Sequence, residues 1–144
     1  MMHDDHGAAM VEFVALMVVL VVPLVYLILT VFEVQRTTYA ATSAAREAAR
    51  LFVTAPTSAD AGLRARQAAS VAVTDHGVTW RPEDLSVSCS ADPCLTPGAS
   101  VRVIYRTSVD LPLVPGFVSD LVPLSLAVQA QHTQVVDRYV PVRP

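Results

Sequence analysis

From Phe13 to Phe32 the chain reads FVALMVVLVVPLVYLILTVF, twenty residues without a charge. At 1.5 Å per residue, a helix of that length spans about 30 Å, the thickness of a bilayer's hydrocarbon core. A secretory signal carries a shorter apolar core, about 7–15 residues, behind a basic start. Here the start holds Asp4 and Asp5 and no Lys or Arg. The expectation is a retained transmembrane helix. Pro23 falls mid-run, removes one backbone hydrogen bond and predicts a helix kink. That point serves either as a flexible joint used in packing or as an ordinary kink satisfied by local adjustment.

The same run explains the composition. Apolar residues make up 53% of the 144 and charged residues 16%, far from a typical soluble domain. With the run set aside, the remainder suffices for one modest domain. A net charge of -3 leaves no footprint for nucleic acid. All 10 basic residues are Arg, which reads as genomic base composition rather than an anion-binding device.

Two cysteines, Cys89 and Cys94, flank a turn-forming Asp92-Pro93 pair. A disulfide closing a small loop is the leading reading for an extracytoplasmic domain, and two free thiols are the alternative. A zinc site lacks partner ligands nearby. Arg36, Arg46 and Arg50 follow the span, so a plain positive-inside count puts the C-terminal side in the cytoplasm. The cysteine pair argues for the other side.

The helix should continue past the bilayer surface. Glu33 to Val53 lacks Gly and Pro and is rich in Ala, so the whole first helix is expected from about Ala8 to Val53. Glu33 and Arg36 are spaced i,i+3, as are Glu47 and Arg50, which suits an exposed face. Ala40, Ala44 and Ala48 form one row, and Ala41, Ala45 and Ala49 another. Such smooth rows permit close approach by the chain's own domain or a neighbouring subunit. Pro56 marks a turn, and Thr57 or Ser58 caps a second helix running to about Thr74. Leu63, Ala68, Val71 and Ala72 are the expected buried stripe, and Asp75-His76-Gly77 the stop.

Three stretches alternate with period two: 85–89, 100–109 and 125–135. Each has one polar face, as in an antiparallel sheet packed on helices. The fold class is therefore α+β: a long N-terminal helix, half transmembrane and half extramembrane, a second helix, then a three-stranded antiparallel sheet packed on the helices. The connection Asp110–Pro123 holds three prolines and seven large apolar residues. It is excluded from a central strand, and either packs under the sheet or exposes an apolar surface.

The segment before the span is Gly7-Ala8-Ala9-Met10-Val11-Glu12-Phe13. With the apolar span, Pro23 and the following Glu33, it resembles the TadE-like proteins, minor pilin-like proteins or pseudopilins of the tight-adherence pilus and secretion systems. The match covers about the first third of the chain, and the remainder fits in pattern alone. Pro23 falls later than that family's usual proline, and the leader is acidic where pilin leaders are usually basic.

The resemblance implies a cut between Gly7 and Ala8 by a membrane-embedded prepilin peptidase. Glycine lets the backbone enter a protease cleft closely. The cut removes Asp4 and Asp5 and frees an α-amino group at Ala8. Glu12, beside Phe13, then acts as an assembly residue: a carboxylate near the bilayer core is costly unless paired, and the N-terminus of a neighbouring subunit can pair it. The implied segments are 1–7 leader, 8–32 transmembrane helix, 33–53 its continuation and 54–144 a small extracytoplasmic α+β domain. The implied partners are the membrane, the peptidase, other pilin-like subunits and the pilus assembly platform. The implied location is the cell membrane, single-pass, with a route into the pilus. The size of the outer domain favours a minor subunit.

An enzyme is not expected. His3 and His6 lie in the leader, His76 at a helix end and His132 on a strand, with no nucleophile–base spacing, zinc signature or phosphate loop. No cofactor is expected either. The alternative to a pilin-like subunit is an unprocessed single-pass membrane protein whose outer domain binds or scaffolds envelope components.

Overall fold

The computed structural model describes residues 5–110 and 125–141, with side chains from residue 9 onward. The element order is α1 (Asp5–Val53), α2 (Ser58–Asp75), β1 (Leu85–Cys89), β2 (Ser100–Asp110) and β3 (Ser125–Val135), with a short 3-10 turn at Pro82–Asp84 before β1. This is the expected α+β arrangement, and the strand positions agree with the alternating stretches. The Pro-rich residues 111–123 lie outside the described residues, so their packing is not assigned.

α1 is one helix of 49 residues that continues through Pro23. Its apolar half is exposed throughout, apart from the half-buried Tyr26 and Thr30. The Thr30 hydroxyl donates to the Tyr26 carbonyl at 2.9 Å, so this polar group is satisfied within the apolar run.

The second half of α1 is the middle layer of the α+β domain. It contacts α2, β2 and β3. Ala40, Ala41, Ala44, Ala45, Ala48 and Ala49 are all buried, together with Thr37, Phe52 and Val53. At 100° per residue these positions cover an arc of roughly 220°, too wide for one neighbour and sufficient for two. The two alanine rows thus pack within the chain's own domain.

Thr57 is the cap of α2, and its hydroxyl accepts from the Asp60 amide at 3.1 Å. The expected buried stripe of this helix is wrong in part. Leu63 and Val71 are 59% and 58% exposed and Ala68 is half-buried. The helix docks instead through Ala61, Ala65, Ala69 and Val73, spaced four apart, with Ala72 beside them. The facing helix presents alanines, so small side chains permit the closest approach and the larger ones turn outward.

The sheet order is β1-β2-β3, antiparallel throughout. Leu85 pairs with Tyr105 and Cys89 with Val101, and Val103 pairs with His132. β2, in the centre, buries Val101, Val103, Tyr105 and Val109 and leaves Arg102 and Arg106 exposed. Each fully buried valine contributes about 1.5–3 kcal/mol. On β3, Val128 is buried and Ala130 half-buried, while Leu126 stays 48% exposed near the strand's start.

Candidate functional site

The residues that the sequence marks for processing and assembly all lie at one end of α1. Gly7 and Ala8 fall in its first turns, within a helix that starts at Asp5. Glu12 and Phe13 follow one turn later, both exposed, with Phe13 at 62%. No described side chain of this chain pairs with Glu12 at hydrogen-bond or ion-pair distance. Met10, Val11, Val14, Leu16 and Met17 are also exposed around it. The carboxylate therefore stands at the head of a bare apolar helix, available to a group outside the chain.

α1 is the helix among the described residues that is long and apolar enough to cross a membrane. Its apolar window has no buried share, which distinguishes it from the core helix of a soluble protein. An apolar hollow lined by Val22, Tyr26 and Leu29 lies beside Pro23. The missing amide of Pro23 leaves the Val19 carbonyl without its usual helical donor.

The α+β domain is tied by a disulfide at the end away from the apolar half of α1. Cys89 and Cys94 are bonded, with Cα atoms 5.3 Å apart and a sequence separation of 5. The expected bridge is present, and the loop includes a cis Asp92-Pro93 bond. Just after the bridge, Leu95 is fully buried in the core. The Gly98 amide donates to the Val136 carbonyl at 3.0 Å, and the Val136 amide to the Ala99 carbonyl at 2.8 Å. The bridged loop is thereby stitched to the chain beyond β3.

Sequence reasoning missed a second feature. Trp80 and Tyr105 stack with ring centroids 6.0 Å apart. The Tyr105 hydroxyl and Asp84 Oδ2 are buried facing each other, with Thr107 also near the hydroxyl, and neither makes a well-formed hydrogen bond. Burial pushes the Asp84 carboxyl above the usual range, Arg81 opposes this, and Glu83 adds to it. Burial and the Asp84 charge likewise push the Tyr105 hydroxyl upward. An inward-facing Tyr on β2 was legible from alternation, but its meeting with residues of the α2–β1 connection depends on how that connection returns over the sheet.

Among the described residues, no group of three His, Cys, Asp or Glu is placed to hold a metal. His132 is half-buried, 3.4 Å from Gln134, and His76 is exposed after α2. The class defined by these observations is an α+β domain carried on one long apolar helix. No protein-family model, curated protein or solved structure matches this chain.

Proposed function

We propose that this chain is a minor pilin-like subunit, a pseudopilin of a tight-adherence type pilus or secretion system, anchored by α1 and cut between Gly7 and Ala8. One observation carries the reading. Glu12 stands exposed and unpaired by the chain's own described side chains at the head of an apolar helix that is bare along its length, while the same helix is packed on two sides beyond Glu33. A charge in that position is costly in a bilayer unless something outside the chain pairs with it. An α-amino group freed at Ala8 of a neighbouring copy or related subunit is suited to that role, and such pairing sets the stagger between helices. The disulfide supports an extracytoplasmic outer domain.

Mass measurement of the membrane-extracted protein tests the processing step. Coexpression with a prepilin peptidase should remove residues 1–7, and an intact N-terminus under those conditions rejects it. Glu12→Ala should leave cleavage intact and abolish incorporation into sheared filaments or pseudopili. Normal incorporation of that variant rejects the pairing role.

A further inference from the structure

Where α1 leaves its apolar run, the outer domain carries a polar cleft of about 230 Å³. Three parts of the chain meet there. α1 supplies Glu33 and Arg36, the connection after α2 supplies Thr79 and Arg81, and the end of β2 supplies Thr107 and Asp110. The topology explains the meeting. α2 runs back along α1 toward the span, and β2 also ends on that side.

Arg36 is held in place. Its Nη2 lies 2.6 Å from Glu33 Oε1. Its Nη1 rests against Gly77, where an added Cβ would come within 3.2 Å. Gly77 has φ +68, so glycine there suits both the backbone and the guanidinium. A guanidinium has five N–H donors, and one carboxylate oxygen does not exhaust them. The side chain remains 47% exposed.

Among the residues lining the cleft, Arg36 and Arg81 stand with Glu33 and Asp110; Arg36 already holds Glu33, and Arg81 is also within electrostatic reach of Asp84 beside the cleft. A site for a simple anion would carry surplus positive charge, and a site for a simple cation surplus negative charge. Both signs, lined up with Thr79 and Thr107 in one cleft, match a ligand that bears both signs. Glu33 directly follows Phe32, the last residue of the apolar run, so the cleft lies at headgroup depth if that run spans the bilayer. We infer that the cleft binds the headgroup of a zwitterionic, ammonium-bearing phospholipid, with its phosphate at Arg36 and Arg81 and its ammonium at Asp110 and Glu33. The bound lipid fixes the height of the outer domain above the bilayer. Guanidinium–phosphate pairing supplies the charge-assisted bonds.

This rests on the membrane-spanning reading of Phe13–Phe32, and the experiment separates the two. The full chain is reconstituted into vesicles of equal phosphatidylethanolamine and phosphatidylglycerol, checked by flotation, extracted in mild detergent and weighed by native mass spectrometry. The expected result is one retained phosphatidylethanolamine. Arg81→Gln, at an exposed position, should weaken retention roughly tenfold, as loss of one charge-assisted bond predicts. Asp110→Asn, also exposed, should abolish the preference over phosphatidylglycerol. Inorganic phosphate should not displace the lipid. Failure to float rejects the span and this inference together. Flotation without selective lipid retention, unchanged retention by Arg81→Gln, or displacement by phosphate alone rejects the lipid site and leaves the span standing.

Discussion

Trp80 lies flat against Tyr105, with an interplanar angle of 9° and 6.0 Å between ring centroids. This pair fixes the connection between α2 and β1 onto the central strand. Tyr105 is fully buried and Trp80 half-buried beside it. Stacking adds about 0.5–1.5 kcal/mol beyond the area removed from water. Trp80→Ala should therefore lower stability by about 2–4 kcal/mol, with Trp80→Phe retaining most of it. Denaturation of the detergent-solubilised chain followed by circular dichroism measures this. A loss below about 0.5 kcal/mol would mean that the stack does not hold the connection.

The same neighbourhood makes stability depend on pH. The folded state raises the Asp84 pKa, chiefly by burial. The folded state therefore binds the proton more tightly than the unfolded chain does. Stability from this group is full below the ordinary Asp value and is lost as pH rises through the raised value. Asp84→Asn should stabilise the domain at pH 7 and give no gain near pH 3. Thermal melts at the two pH values check the sign; an equal effect at both would assign the change to packing instead.

Tyr105 offers a second handle. Its hydroxyl is buried beside Asp84 and Thr107 without a well-formed hydrogen bond, and its pKa is raised by burial and by Asp84. Stability from the neutral phenol is full below the ordinary Tyr value and is lost as pH rises through the raised value. Removing an unsatisfied buried hydroxyl is neutral or stabilising when the ring is kept. Tyr105→Phe should keep or raise the melting temperature at pH 7 and weaken alkaline unfolding. A marked loss of stability at pH 7 would show that the hydroxyl has a partner in solution.

Much of this arrangement was legible from short-range pattern. Period-two alternation placed β1, β2 and β3, and an uninterrupted Ala-rich stretch carried α1 to Val53. The face of α2 was not legible, because hydrophobicity alone favours Leu63 and Val71 for burial. The deciding fact is non-local: the partner surface is made of alanines, and only Ala61, Ala65 and Ala69 let the helices close up. The polar cleft was hidden for the same reason, since its residues come from three distant segments. Glu33–Arg36 was visible as an i,i+3 pair, but its confrontation with Gly77 was not.

That helix contact makes a sharp prediction. Ala65 is fully buried at the middle of the α2 row. Ala65→Leu must separate the helices or distort rotamers, at about 1–3 kcal/mol. Leu63→Ala, on the exposed face, should cost under about 1 kcal/mol. Comparing the two unfolding midpoints reverses the order that a hydrophobicity-based assignment gives. If Leu63→Ala proved the more damaging, the orientation of α2 described above would be wrong.

Leu95 directly follows Cys94 of the Cys89–Cys94 bridge and fills the core, so the bridge and the core position neighbouring residues of one loop. The loop closed is short, so the entropic stabilisation is modest, about 2 kcal/mol for a loop of this length. Losing the bridge also frees the chain that positions Leu95, whose own removal from the core would cost about 2–5 kcal/mol. The double variant Cys89→Ser with Cys94→Ser should thus lose about 2 kcal/mol if Leu95 stays seated and more if it leaves. Adding Leu95→Ala to both backgrounds tells these cases apart. With Leu95 seated without the bridge, Leu95→Ala costs the same in both; with Leu95 released, it costs little in the unbridged chain. Hydrogen exchange at the Val136 amide, which donates to Ala99 behind the loop, gives an independent readout. Faster exchange there in the unbridged protein is expected, and unchanged exchange together with unchanged stability would show that the core alone holds the loop.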